Sequence, residues 1–410
     1  MHVTELTTAE LTTIVADALG PDTPRRIGVA VSGGGDSTAL LHALIGAGFA
    51  VEAVTVDHGL RPESLTEAED VGRACATLSV PHTILCWPGT EAAGNLMDAA
   101  RRARLRLIGA WARGQGIDTV ALGHTADDQA ETFLMRLSRE AGLEGLSGIR
   151  ARFRAEGVLW VRPLLTVPRA ALRDWLRARD IGWVDDPSNE NDRFARVRAR
   201  KALRALRPAG VTAERIGAVV GHLAAANAAL DRLLGQWVAA HVTETGGELQ
   251  VPEGDFAALD PELRRRFVLD ALIWIAGTDY GPRGAKLAAF LAAPRDATLH
   301  GCRIRFARGR MVLSREARAV AGLVAARDAV WDGWRIIGPV PEGARIAALG
   351  AGGLAQCPDW RATGISRAGL LASPAVWMGE TLLAAPLAGV GTGFAARNLR
   401  GSFADRGFSR

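Results

Sequence analysis

Cysteine is scarce in this 410-residue sequence. The four cysteines are Cys75, Cys86, Cys302 and Cys357, and they form no C-x-x-C pair. This number and spacing give no support to a disulfide framework, a zinc ribbon, an iron–sulfur cluster or a redox pair. We interpret the cysteines as single buried thiols.

Lysine is almost absent, so nearly all positive charge comes from arginine. Lysine occurs only at Lys201 and Lys286, while the net charge is +5 and the sequence pI is about 9.5. Coding bias is the simplest explanation, but the planar guanidinium also suits phosphate and nucleic acid. The composition therefore permits an RNA partner without requiring one.

A long apolar run and a signal pattern are also lacking. The most apolar helical stretch, residues 216–242, carries His222, Asn227, Asp231 and Arg232, which disfavours a membrane span. The first residues include acidic side chains and do not follow the charged-then-apolar order of a signal peptide. We expect a cytoplasmic protein. The sequence does not determine the oligomeric state, and an oligomer is compatible with it.

Short β-type runs alternate with helical patterns over the first 140 residues. The runs predicted as strands end near Val31, Asp57, Trp87 and His124. This alternation predicts a doubly wound, mostly parallel, Rossmann-like α/β sheet. Ligands bind beyond the carboxyl ends of the strands in such sheets, and polar loops at 32–37, 57–59 and 124–128 fall on that edge.

The pattern changes after Arg150. A strand, a turn and a helix are followed by a polar turn, a basic helix, and helices from 211 to about 276; residues 298–314 then indicate a strand pair. We expect three domains: an α/β domain at 1–210, a helical domain with a terminal strand pair at 211–318, and a small α+β domain at 319–410.

The glycine loop "SGGGDS" (32–37) between a strand and a helix predicts an anion site. No lysine follows the glycines, which excludes a Walker A loop, and Thr38 stands where a dinucleotide fingerprint needs its third glycine. A helix N-terminus still offers free backbone N–H groups and partial positive charge. Asp36 suits two alternatives, a magnesium ligand beside phosphates or a helix N-cap.

The loop resembles the SGGxDS loop of the N-type ATP pyrophosphatases, also called PP-loop enzymes. Further motifs resemble one branch of them, the tRNA(Ile)-lysidine synthetase family. These motifs are "VDHGLRPES" (56–64), "GNLMDAARRARLRLI" (94–108), "LGHTADDQAETFLMRL" (122–137), "LEGLSGI" (143–149), "RPLL" (162–165) and "WVDDPSNENDRFARVRAR" (183–200). The resemblance covers most of residues 25–205 and is loose beyond 215.

The resemblance implies a ligase reaction. ATP adenylates the C2 oxygen of cytidine 34 in the CAU anticodon of an isoleucine tRNA, with release of pyrophosphate. The ε-amine of free L-lysine then displaces AMP and gives lysidine. The implied cofactors are ATP and Mg²⁺, and the implied partners are tRNA(Ile) and L-lysine. The resemblance also implies that 1–210 is the ATP-binding catalytic domain and that 211–318 binds tRNA. We expect no membrane partner, because no segment is apolar enough.

The resemblance, together with residue chemistry, assigns the site residues. We expect catalysis from a carboxylate set, with Asp36 also holding magnesium: Asp36, Asp127, Asp128 and Glu131. We expect nucleotide contacts from Ser32, Gly33, Gly34, Gly35, Asp36, Ser37, Asp57, His58 and His124. We expect substrate and tRNA contacts from Arg101, Arg104, Arg162, Asp186, Asn189, Arg193, Arg196 and Arg200. Arg264–Arg266 and Arg303, Arg305, Arg308 and Arg310 are further candidates for RNA contact.

Structural alternatives exist for each part of this site. The carboxylates are also typical of a solvated helix start. Asp57 and His58 could simply form a turn with Gly59. The arginines could be ordinary surface residues. Other functions compete as well: a tRNA thiolase, an amide-forming synthetase, and an inactive RNA-binding protein. The missing C-x-x-C pair disfavours the thiolase, no glutaminase domain is evident for the synthetase, and the intact carboxylates disfavour the inactive protein.

Overall fold

A computed structural model describes residues 6–59, 64–87, 96–184 and 195–406. The chain divides into two compact units, Met1–Asn227 and Ala228–Arg410. No helix within the described ranges is both long and apolar enough to cross a membrane. The three-domain division stays a prediction.

The first unit is an α/β unit, as the alternating pattern predicts. Its elements in chain order are α1 (Thr8–Leu19), β1 (Arg26–Ala30), α2 (Gly35–Gly46), β2 (Ala50–Asp57), α3 (Ser64–Thr77), β3 (His82–Cys86), α4 (Leu96–Gln115), β4 (Thr119–Leu122), α5 (Ala126–Leu137), α6 (Leu143–Leu146), β5 (Arg152–Ala155), β6 (Val158–Val161), α7 (Arg169–Arg177) and α8 (Ala195–Leu206). Helix α9 (Ala213–His241) follows and contains the boundary between the units.

The described strands of this unit form one sheet in the order β3-β2-β1-β4-β6-β5. Every neighbouring pair is parallel except β5 and β6. The chain builds outward from β1 to β3 and then returns to β4 on the other side of β1. The order of strands therefore reverses between β1 and β4, and ligands bind at the carboxyl ends of strands at such a point.

Both faces of the sheet are covered, which confirms the doubly wound arrangement. Leu11, Leu40 and Leu172, from three different helices, pack in one core on one face. Ile108 and Trp111 of α4 belong to a separate core. Strands buried on both sides need apolar residues at successive positions, and "TVAL" of β4 is fully buried.

The second unit contains helices and antiparallel sheets. Its elements in chain order are β7 (Thr243–Thr245), β8 (Glu248–Pro252), α10 (Glu253–Ala258), α11 (Pro261–Ala276), α12 (Gly284–Ala292), β9 (Ala297–Leu299), β10 (Cys302–Ala307), β11 (Arg310–Arg315), α13 (Ala317–Val320), β12 (Val324–Ala325), β13 (Trp334–Ile337), β14 (Arg345–Ala348), α14 (Gly350–Leu354), α15 (Arg367–Leu371), β15 (Pro374–Met378), β16 (Thr381–Ala384) and β17 (Ala395–Asn398).

The strand pair predicted for 298–314 is confirmed as the hairpin of β10 and β11. It lies in an antiparallel sheet of order β7-β8-β11-β10-β9. The purely helical interpretation of 211–276 is wrong at β7 and β8, a short hairpin with glycines at its turn. Three- and five-residue strands give too few alternations to be separated from the long helical pattern before them.

One arginine in the second unit contradicts its predicted contact with RNA. The side chain of Arg266 is only 1% exposed. Its Nη1 lies 2.9 Å from Asp231 Oδ1 and its Nε lies 2.8 Å from Glu262 Oε1. Arg266 of α11 is therefore a member of a buried ion pair. It does not lie on a surface that RNA could reach.

Removing the guanidinium of Arg266 should destabilise the protein strongly. Arg266→Met leaves Asp231 buried without this counter-charge, which typically costs about 3–5 kcal/mol. Arg327→Met is the matched control, because Arg327 pairs with Asp328 at 59% exposure and such pairs contribute about 0–1 kcal/mol. Urea unfolding would measure both, and equal losses in the two variants would contradict a structural role for Arg266.

Candidate active site

The glycine loop is held in shape by its own serines. Ser37 Oγ donates to Gly34 O at 2.9 Å, and Ser32 N donates to Ser37 Oγ at 3.1 Å. Gly33 has a φ of +79°, a conformation that only glycine adopts without strain. The Ser37 hydroxyl is thus engaged inside the loop, and the backbone N–H groups of the first turn of α2 remain as donors for an anion.

Other segments approach this loop closely, and at Gly123 the approach requires glycine. Val184 N donates to Gly33 O at 2.9 Å, and a Cβ on Gly35 would only touch the Trp183 indole, at 3.4 Å. A Cβ on Gly123 would lie 3.0 Å from both N and Cα of Ser37. Gly123 follows β4, so it brings the carboxyl end of that strand directly against the start of α2.

Asp36 faces another side chain instead of capping its helix. Gly34 is the N-cap of α2, and Asp36 is the second residue of the helix. Its Oδ2 accepts from Arg169 Nε at 2.8 Å. The cap alternative is therefore wrong. Burial raises the pKa of Asp36, and the nearby Arg169 guanidinium opposes that rise.

Arg169 is the centre around which the predicted carboxylates gather. Besides Asp36, its Nη2 lies 3.2 Å from Asp128 Oδ2 and its Nη1 lies 3.3 Å from Glu131 Oε1. Its backbone N donates to Asp127 Oδ2 at 2.7 Å. Burial lowers the pKa of Arg169, but the surrounding carboxylates outweigh burial and raise it, so the guanidinium stays charged.

The starts of α5 and α7 are joined, which fixes the carboxylates relative to Arg169. Thr125 N and Oγ1 both donate to Asp128 Oδ2, at 2.9 and 3.0 Å, in a capping box. Ala126 N donates to the carbonyl of Val167, at 3.0 Å. Burial raises the pKa of Asp128, but Arg169 and Arg196 outweigh it, so the pKa lies below its usual value.

Glu131 is the most deeply buried member of the set, with a side chain 1% exposed. Its Oε1 lies 2.8 Å from Arg200 Nε, and its Oε2 lies 3.3 Å from Arg196 Nε. Both arginines come from α8, the predicted basic helix. Both arginines face the carboxylate site, whereas the sequence analysis predicts that they contact tRNA.

The loop after β2 forms the turn that the sequence offered as the alternative to nucleotide contact by Asp57 and His58, and that contact stays a prediction. Asp57 Oδ1 accepts from Gly59 N at 2.8 Å and from Ser64 Oγ at 2.6 Å, and these bonds lower its pKa. The His58 ring meets the Trp87 ring edge-on at 6.0 Å. Burial and the nearby Arg104 charge lower the pKa of His58, so this imidazole is neutral near pH 7.

Half-buried His124 and buried Arg162 form a pair after β4 and β6. Arg162 Nε donates to His124 Nδ1 at 3.2 Å, and Arg162 is 6% exposed. Burial, with help from Arg162, lowers the pKa of His124 to about 3. The burial of Arg162 favours a role inside the site over direct contact with RNA.

Arg101 and Arg104 lie on α4, and the structure places them near the same edge. Arg101 is exposed and Arg104 is half-buried. Burial, then the charges of Arg101 and Arg196, lower the pKa of Arg104. Like charges held this close favour an anion between them.

The structure thus brings together the four carboxylates that the sequence predicts: Asp36, Asp127, Asp128 and Glu131. Arg169, the residue at their centre, was missed by the sequence analysis. Arg169 directly follows Pro168 at a helix start, but arginine is too abundant here for that signal to be specific. Three predicted RNA-binding residues lie outside the described residues: Asp186, Asn189 and Arg193.

The donor chemistry of the site fits a magnesium ion that is shared with phosphates. No group of three or more His, Cys, Asp or Glu in the described ranges is arranged to hold a metal ion. Magnesium is usually held by only one or two carboxylates together with substrate phosphates. Asp36, at the glycine loop and 21% exposed, supplies such a carboxylate.

The sheet, the glycine loop at its switch point and the adjoining carboxylates define the class of the first unit. The chain matches the PP-loop domain family over residues 5–206. It is 47% identical to a tRNA(Ile)-lysidine synthase of Ruegeria pomeroyi, over 91% of both chains. It is 39% identical to one of Hyphomonas neptunium, over 75% of this chain and 85% of that one.

The chain belongs to the tRNA(Ile)-lysidine synthase family. A solved structure of the U34-tRNA thiolase NcsA from Methanococcus maripaludis, with its [4Fe-4S] cluster, is also similar. That likeness has a TM-score of 0.46 and 16% identity, over 53% of this chain and 78% of the other. It carries no argument about function.

A methyl group on Gly123 should damage nucleotide binding. In Gly123→Ala the new Cβ would press on the backbone of Ser37 at 3.0 Å and displace the first turn of α2. We expect the KM for ATP to rise by about tenfold or more, since the donors for the phosphates move. Gly114→Ala is the control, because its Cβ would meet nothing within 4 Å. An unchanged KM in Gly123→Ala would contradict this description of the loop.

Proposed function

We propose that this protein uses ATP to attach free L-lysine to C2 of the wobble cytidine, cytidine 34, in the CAU anticodon of tRNA(Ile). The observation that carries the proposal is the carboxylate set around Arg169, placed beside a glycine loop at the switch point of the sheet. The names of relatives that span most of the chain support the substrate. The reaction would take place in the cytoplasm, where ATP, lysine and tRNA meet.

The first step adenylates the base. The C2 oxygen of cytidine attacks the α-phosphorus, an O–P bond forms, and the bond to the β-phosphate breaks so that pyrophosphate leaves. The N–H groups at the start of α2 would bind the phosphates, and Arg101 and Arg104 would add positive charge. Asp57 and His58 would border the nucleoside from the neighbouring loop.

The second step joins the amine to C2. The neutral ε-amine of lysine attacks C2, the C2–O bond breaks, and AMP leaves with its oxygen. Asp127 and Asp128 would attract the lysine ammonium, and Asp127 would accept the proton that it loses. Glu131 contacts three arginines at 1% exposure, so we assign it to positioning.

Magnesium belongs to this proposal through Asp36. The Asp36 carboxylate would hold the ion against the phosphates of ATP. When bound, the ion would neutralise charge on the departing pyrophosphate. The carboxylate keeps a fixed position for this task because Arg169 Nε binds its Oδ2 at 2.8 Å.

The main competing function, tRNA thiolation, conflicts with the state of the cysteines. Cys75, Cys302 and Cys357 are buried, and Cys86 alone among the four is exposed. Burial raises the pKa of the Cys302 thiol to about 12 and also raises the pKa values of Cys75 and Cys357. Sulfur transfer needs accessible thiolates, which three of these side chains cannot provide.

The proposal is tested by incubating the protein with ATP, labelled lysine and tRNA(Ile) carrying a CAU anticodon. We expect one lysine per tRNA, with equimolar AMP and pyrophosphate. Elongator tRNA(Met), which also carries CAU, is the matched control and should take up no label. If ATP turns over with tRNA while lysine stays free, the proposed reaction is wrong.

Asp36→Asn should slow adenylation of the tRNA by about 100-fold or more. The amide keeps the volume but loses the charge that would hold magnesium against the phosphates. Asp174→Asn is the control, since Asp174 lies on α7 at 66% exposure in a surface pair with Arg177. Pyrophosphate release without lysine measures the step alone. A rate of pyrophosphate release in Asp36→Asn within twofold of that of the unchanged protein would contradict the proposal that Asp36 holds magnesium.

A further inference from the structure

The pair formed by His124 and Arg162 determines where the imidazole carries its proton. Strands β4 and β6 are parallel neighbours, with Ala121 opposite Val161, so the residues that follow them lie side by side. Arg162 Nε donates to His124 Nδ1 at 3.2 Å. A guanidinium has only donors, so Nδ1 must be an unprotonated acceptor. A neutral imidazole with this bond carries its proton on Nε2.

The surroundings of His124 keep the ring neutral. The positive charges of Arg162, Arg104 and Arg196 all oppose a second proton, and only Asp128 favours one. Burial is the largest cause and acts in the same direction as the arginines, which brings the pKa to about 3. Near neutral pH the ring thus has one N–H to offer and no charge.

Arg162 is itself fixed from several sides. Its Nη1 donates to the carbonyl of Arg150 at 2.7 Å, and its guanidinium lies 4.4 Å from the centre of the Phe153 ring. Phe153 in turn stacks on Trp160 at 5.9 Å. The neighbouring Ile149 is held by Gln129 of α5, whose side-chain amide binds its backbone N–H and carbonyl. Such support allows Arg162 to orient the imidazole instead of sampling solvent.

A neutral donor is useful at this place for an electrostatic reason. His124 lies beyond the carboxyl end of β4, next to Gly123, which contacts the start of α2. A charged imidazole would be drawn to Asp128, which Arg169 already neutralises at 3.2 Å. A neutral Nε2–H leaves Asp128 unchanged and still gives a directional hydrogen bond to an anionic oxygen.

We propose that Arg162 is a positioning residue that fixes His124 in its Nε2–H form, and that this N–H donates to a phosphate oxygen of the bound nucleotide. The contact with a nucleotide phosphate rests on the proposed function. The tautomer of His124 does not, because it can be observed without any reaction. It replaces direct RNA contact as the role of Arg162.

The tautomer is tested by ¹⁵N NMR of the full chain labelled at its eight histidines. His124→Gln identifies the His124 signals by their loss. We expect an unprotonated Nδ1 and a protonated Nε2 that do not change between pH 6 and 8. Arg162→Met should allow proton exchange between the two nitrogens, and Arg154→Met, which alters an exposed arginine of β5, should not. A protonated Nδ1, or no change in Arg162→Met, would overturn the positioning role.

The contact with phosphate is tested by binding of a non-hydrolysable ATP analogue. His124→Leu should weaken binding by about tenfold or more, because a hydrogen bond to a charged oxygen is lost. His124→Gln should recover most of that loss, since its amide N–H can reach the Nε2 position. Equal binding by all three proteins would overturn the contact. Failure of lysine transfer with this binding pattern intact would overturn only the proposed function.

Discussion

The site depends on one guanidinium that neutralises several carboxylates at once. Arg169 contacts Asp36, Asp128 and Glu131 through three different nitrogens and Asp127 through its backbone N–H. Buried carboxylates are costly unless they are paired, and the planar fork of arginine can pair with several in fixed directions. The glycine loop, α5 and α7 are therefore joined by one guanidinium at the polar edge of the sheet.

This arrangement separates the roles of the acidic residues by exposure. Glu131, bound by Arg169, Arg196 and Arg200, is enclosed, while Asp36 is 21% exposed and adjoins the phosphate-binding end of α2. Arg104 of α4 has the like charges of Arg101 and Arg196 near it, and such a group favours an anion. An ATP-dependent ligase needs this division, because it must bind a polyanion and a cationic amine in one pocket.

The sequence predicts much of this from local patterns. Alternating strands and helices indicate the parallel sheet, and "SGGGDS" and "HTADDQAET" indicate its functional edge. Gly123 and Arg169 escape prediction because their roles depend on distant partners: a Cβ that would strike Ser37, and carboxylates 38 to 133 positions away in the sequence. Arg162 and Arg266 carry the same charge as surface arginines, and only burial distinguishes them.

The central claim is that the fork of Arg169, and not its charge alone, organises the carboxylates that we propose for catalysis. The most direct measurement is the single-turnover rate of pyrophosphate release with tRNA(Ile) and ATP in Arg169→Lys and Arg169→Met. We expect both variants to be slower by about 100-fold or more, because a lysine ammonium cannot contact three carboxylates in fixed directions. A rate for Arg169→Lys within twofold of the unchanged protein would contradict the claim.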